Sequence, residues 1–198
     1  DKSLHNTFHN AMHGGRLDWN VANHSELIAY YQNFIQEHPT ITRAYLYLLD
    51  NLIDDGRLNE AKTVLERRST VIEDCFNDFY RLLIHESTHG FQATCKEYEI
   101  YLEKNQEWQA YFLVAGRYAS HGEYEEAISL FGKSFELQPK PRYIDQLESI
   151  AQLYLRMHQK NEAKHAYKRE LELLKEEWHQ DDSVDVQRVK ALLAKCDG

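Results

Sequence analysis

Along residues 108–139, WQAYFLVAGRYASHGEYEEAISLFGKSFELQP, apolar and small side chains recur at intervals of three and four. Tyr111, Val114, Ala115 and Tyr118 fall on one face of a helix at that spacing. Ser120-His121-Gly122 interrupts it; Tyr124, Ala127, Ile128, Phe131, Ser134 and Leu137 then form a second stripe, and Pro139 ends it. The stretch predicts a helical hairpin with a glycine-centred turn.

The same punctuation recurs. Ser25 reads as an N-cap for a helix whose stripe is Leu27, Ile28, Tyr31, Phe34 and Ile35, closed by Pro39. Tyr45, Leu48, Leu49 and Leu52 lead to a turn at Gly56, after which Leu58, Ala61, Val64 and Leu65 continue the pattern. Gly56 and Gly122 are 66 residues apart, as are Ala61 and Ala127. That is close to twice a unit of about 33, so one further unit belongs between them. It is present in degraded form, with Phe79, Leu82 and Leu83, a turn at Gly90, and a second helix in FQATCKEYEIYLEKN. After Pro139 come Leu147, Ile150, Ala151, Tyr154, Ala163 and Tyr167, with Ala163 falling 36 residues after Ala127. Residues 179–198 carry a last stripe, Val186, Val189, Leu192 and Leu193, with Arg188 and Lys190 outside it. This fits a helix that caps the array, with a groove-filling or dimerising helix as the alternative. Residues 1–24 are the least regular, with a short helix expected to about Met12.

With the repeat in hand, the chain resembles the tetratricopeptide-repeat family. The pattern of that family's unit, about 34 residues long, falls on Tyr111, Val114, Ala115, Tyr118, Gly122, Tyr124, Ala127, Phe131, Ser134 and Pro139. The resemblance is good over 42–70 and 144–174, loose over 76–107 and partial over 24–40. It implies an all-α solenoid of antiparallel helix pairs. Residues 1–24 would lie before it as an irregular segment, 25–178 would form the repeats, and 179–198 the capping helix. Short side chains at Ala115 and Ala127 fit this, because two helices approach closely only where side chains are small.

In that family the first helix of each pair lines a concave face that receives an extended peptide or a partner helix. Carried onto this sequence, the resemblance assigns to that face Arg43, Leu46, Tyr47 and Asp50, then Tyr80, Arg81 and Ile84, then Gln109, Phe112, Leu113 and Gly116, then Glu148, Ser149 and Gln152. Some of these, Leu113 above all, also suit packing against the next repeat. Co-chaperones of the family that grip a C-terminal carboxylate use Lys and Asn at places that here hold Leu46 and Asp50, or Phe112 and Gly116, so chaperone-tail binding is disfavoured. The implied function is a non-enzymatic module that binds a protein or peptide segment, either by itself or as one domain of a larger protein. A peptide-sensing regulatory domain, with its effector half elsewhere, is a further alternative.

Composition narrows the partners. Only 8 Gly and 3 Pro occur in 198 residues, in keeping with a helical chain. A net charge of −9 speaks against direct binding to a phosphate backbone and favours a basic or neutral ligand. No run reaches the roughly 20 apolar residues of a membrane span, and no signal-peptide pattern opens the chain. The start at Asp1 fits a trimmed leader or an excised domain. Cys75, Cys95 and Cys196 are odd in number and lack Cys-x-x-Cys spacing, so they read as packing or surface thiols in a reducing cytoplasm.

Two histidine patterns raise metal chemistry. His5, His9 and His13 are four apart and would stack on one helical face, but no carboxylate or cysteine is placed to complete a site. His85-Glu86-Ser87-Thr88-His89 fits His-Glu-x-x-His, in which two histidines hold zinc and the glutamate activates its water. A third ligand would have to come from Glu97, Glu99, Glu103 or Glu107. A zinc-dependent hydrolase is therefore the alternative function. Against it, the repeat register puts both histidines on the last turns of a first helix, just before the Gly90 turn. The preferred reading assigns no catalytic residue, metal or cofactor.

Overall fold

A computed structural model describes residues 24–196. Among the described residues there are ten α-helices and no strand. They are α1 His24–Glu37, α2 Thr42–Asp54, α3 Leu58–Ser69, α4 Cys75–His89, α5 Phe91–Lys104, α6 Trp108–Ser120, α7 Tyr124–Leu137, α8 Asp145–Arg156, α9 Lys160–Glu176 and α10 Val184–Lys195. The expected short helix before Met12 and the His5, His9, His13 face lie outside the described residues. Within each unit consecutive helices pack on one another through short connections, as in the antiparallel helix pairs of an α-solenoid. The described residues divide into two compact units, the first ending at Gly90 and the second beginning at Phe91.

In the first unit, α1, α2 and α3 pack in sequence and α4 lies on both α2 and α3. The stripes read from the sequence form its core: Ile28, Tyr31, Phe34 and Ile35 meet Tyr45, Leu48, Leu49 and Leu52, with Ala61 and Leu65 behind them. Polar anchors fix the junctions. The Tyr45 hydroxyl donates to the Pro39 carbonyl at 3.0 Å. Arg68, 1% exposed, spans the α3–α4 connection by donating to both carboxylate oxygens of Asp74 (2.8 and 2.7 Å) and to Asn77. Burying a guanidinium is tolerable only because that carboxylate answers it.

In the second unit, the hairpins α6–α7 and α8–α9 pack in order, α5 lies on α6, and α10 covers α9. Ala115 and Ala127 are fully buried beside Phe131 and Leu153, where the small side chains let α6 and α7 close. Ser134 belongs to the same face, and its hydroxyl donates to the Trp108 carbonyl at 2.8 Å. The next cluster joins Ala151, Ala163, Tyr167 and Leu174 to Val186 and Val189 of α10. Leu137 departs from the expected stripe. It ends α7 at 36% exposure, while the adjacent Gln138 is buried and its side-chain carbonyl takes the Tyr143 amide at 2.7 Å.

The turns carry the repeat more faithfully than the residues do. Arg57 N–H reaches Leu52 O, Glu123 N–H reaches Tyr118 O, and Gln159 N–H reaches Tyr154 O, at 2.8–3.0 Å. Each is the six-to-one hydrogen bond of a helix terminated by one residue in the left-handed region. Gly56 (φ 73°) and Gly122 (φ 85°) supply that residue in two of these turns; His158 (φ 61°) supplies it in the third. Gly90 also has positive φ, but with φ 88° and ψ 160° it lies in an extended region open essentially to glycine. The degraded repeat therefore turns differently, and the division between the two units falls at that point. Ser25 lies inside α1 rather than capping it. Across α2–α4 and α6–α10, Ser183 is the residue whose side chain caps a helix start, accepting from Val186 N–H at 3.2 Å. Packing more than capping sets these starts.

Candidate functional site

On α2 the spacing of three and four residues aligns Arg43, Tyr47, Asp50 and Asp54 along one ridge of the first unit. The Tyr47 ring stacks on Tyr31 at 5.5 Å between centroids, and the Arg43 guanidinium lies 6.0 Å from the Tyr47 centroid. Asp50 is exposed, and the Tyr80 hydroxyl of α4 donates to its carboxylate at 2.6 Å. Burial of the carboxyl group against its surroundings, reinforced by repulsion from Asp54, raises the Asp50 pKa, while the Tyr80 hydrogen bond pulls it down. Burial and the adjoining Asp50 charge in turn push the Tyr80 phenol well up, so it remains a donor. Asn51 steadies the ridge, donating to the Tyr47 carbonyl at 2.8 Å and meeting the His24 ring at 3.1 Å.

The other expected face residues of this unit divide by burial. Tyr80 and Ile84 are buried, so they support the ridge instead of presenting contact area. Leu46 is half-buried, with its carbonyl 3.4 Å from the Tyr80 hydroxyl. Arg81 is exposed and donates to Asp78 of its own helix at 2.5 Å. Sequence reasoning missed Asp54 and Tyr31. Asp54 stands one helical turn after Asp50, a signal that could have found it; Tyr31 read only as core.

In the second unit, Gln109, Phe112 and Leu113 of α6 are half-buried and Gly116 is exposed. Phe112 is tied to the hairpin, its ring edge-on to Phe131 at 5.4 Å. On α8, Ser149 is half-buried and Gln152 is exposed. Glu148 is engaged from α10, accepting from Arg188 at 2.6 Å. Arg188, expected outside the capping stripe, also lies 3.6 Å from the fully buried carboxylate of Glu170. Burial first, and repulsion from Glu148 second, push the Glu170 carboxyl up to about 8.

The His-Glu-x-x-His segment closes α4. His89 is the last residue of α4, Glu86 is buried, and the rings of His85 and His89 stack on each other at 4.1 Å. Among the described residues no group of three or more His, Cys, Asp or Glu is placed to hold a metal ion.

No family model matches the chain, and no curated protein matches it in sequence. The backbone does match solved structures. TTC0263, a thermophilic TPR protein from Thermus thermophilus, superposes with a TM-score of 0.53 at 16% identity, covering 87% of this chain and 90% of that one. The C-terminal part of a TPR repeat-containing protein from Cytophaga hutchinsonii gives 0.52 at 11% identity, covering 87% and 65%. This chain has the tetratricopeptide-repeat fold. PilF from Pseudomonas aeruginosa agrees, at 0.51 and 16% identity over 79% and 77%.

Proposed function

We propose that the chain is a non-enzymatic protein–protein interaction module in which a polypeptide segment docks along the Arg43, Tyr47, Asp50 and Asp54 ridge of the first unit. The observation that carries this is Asp50, an exposed residue whose partly buried carboxylate is oriented by a buried phenol at 2.6 Å, beside a stacked aromatic pair. A fixed acceptor next to an aromatic surface suits a lysine or arginine flanked by an apolar residue. The net charge of −9 favours the same class of partner. Gln109, Leu113, Gly116 and Gln152 of the second unit provide further candidate contact positions. A cytoplasmic location belongs to this proposal, on the odd cysteine count and absent Cys-x-x-Cys spacing. No helix among the described residues is long and apolar enough to cross a membrane.

Calorimetric titration with peptides that differ only in a central Lys, Arg or Glu tests the reading. The basic peptides should bind more tightly, and Asp50→Asn and Tyr47→Ala should each weaken them by about tenfold, the loss typical of an interface anchor. Equal affinity for the acidic and basic peptides, or full retention in both variants, would overturn it.

A further inference from the structure

The loop leading into α8 and the end of α9 enclose a cavity of about 170 Å³ in the second unit. It is lined by Tyr143 and Trp178, by the acidic residues Asp145 and Asp185, and by Ile144, Leu174 and Gln180. The two rings stand 6.0 Å apart at 43°, and Tyr143 is 52% exposed. Despite that exposure, the Tyr143 backbone and the Trp178 indole are both anchored. The Tyr143 amide donates to the Gln138 side chain at 2.7 Å, and the Trp178 indole donates to the Arg142 carbonyl at 2.6 Å. Arg142 in turn clamps Glu177 through its backbone amide and its guanidinium, at 2.6–3.1 Å. The loop is thereby fixed to the end of α9, and the two angled aromatic residues line an open cavity.

Charge at this end of the unit is negative. Asp145 and Asp185 border the cavity, and both act electrostatically on Glu170, as does Glu148. Arg188 is shared among Glu148 at 2.6 Å, Glu170 at 3.6 Å and Asp185 at 3.8 Å. Arg142 and Lys140 are drawn to Glu177, at 2.6 and 3.8 Å. A cation over an aromatic face is attracted by the ring quadrupole, and an adjacent carboxylate adds Coulomb attraction.

We propose that this cavity binds an organic ammonium group, seated against Tyr143 and Trp178 and neutralised by Asp145 and Asp185. The shared chemistry is a methylated ammonium head, carried either by a small molecule or by a lysine side chain of a polypeptide. Titration of the intact chain with tetramethylammonium chloride, against sodium chloride at equal ionic strength, should produce a saturable shift of the Trp178 indole N–H resonance. The uncharged isostere 3,3-dimethylbutan-1-ol should produce none. Asp145→Asn, a change at an exposed position, and Tyr143→Ala should each weaken the tetramethylammonium response by about fivefold or more, as expected for loss of a carboxylate or of one aromatic wall. Tighter binding of choline than of a trimethyllysine peptide supports a small-molecule source, and the reverse order supports a polypeptide source. Absence of saturation, equal binding of the neutral isostere, or unchanged affinity in Asp145→Asn would overturn the proposal.

Discussion

Glu170 is the residue at which burial and charge conflict most openly. Its carboxylate is fully buried, neither oxygen has a hydrogen-bond partner, and its pKa is pushed from 4.5 up to about 8. Between those values the folded chain holds a proton that the unfolded chain has released. Stability therefore falls as pH rises through this window and levels off above it. The loss is on the order of 5 kcal/mol at full extent, by the free-energy equivalent of the shift. Glu170→Gln removes the titration and leaves Arg188 its closer partner Glu148. Urea unfolding should show the variant equal to the parent near about pH 5 and more stable at about pH 8.5. A parent curve that is flat between those conditions would refute this account. None of it was legible in the sequence, where Glu170 is one glutamate in a run of charged residues. Arg188 likewise read as a solvated position outside a stripe, because a periodicity argument cannot show that the neighbouring helix carries buried acid.

At the scale of elements, the sequence was most informative where apolar spacing and turn residues agree. The α6–α7 hairpin was legible in nearly every residue, including Ser134, whose small size brings it within reach of the Trp108 carbonyl. Leu137 leaves the apolar stripe because it lies one step past the last turn that packs, and Gln138 takes the buried position. The candidate ridge was legible in part. Arg43, Tyr47 and Asp50 follow from the repeat register, whereas the burial of Tyr80 and Ile84 follows from α4 resting on α2, a contact between elements distant in sequence. Where the register is tightest, the helices tolerate least. Ala127 is fully buried against Ala115 and Phe131, so Ala127→Leu should lower unfolding stability by about 1–3 kcal/mol through overpacking. A chemical denaturation midpoint equal to that of the parent would show that the hairpin has slack that its close packing does not suggest.

At the scale of the whole molecule, residues 91–198 contain two core clusters of their own, one centred on Ala127 and Phe131 and one on Tyr167 and Leu174. Helical repeats draw their stability from such nearest-neighbour packing. This segment is therefore expected to fold when produced alone, with a single cooperative thermal transition by circular dichroism. A gradual, featureless melt would show that its cores depend on residues 1–90. The third turn of the series has a consequence for divergence. Its six-to-one hydrogen bond from Gln159 to Tyr154 is made across His158, an ordinary L-residue in the conformation where Gly56 and Gly122 stand elsewhere. Because the backbone bond outlasts the glycine that usually accompanies it, the letters of such a repeat can drift while its path through space does not. Two chains of this kind can remain superposable long after their sequences have stopped resembling each other.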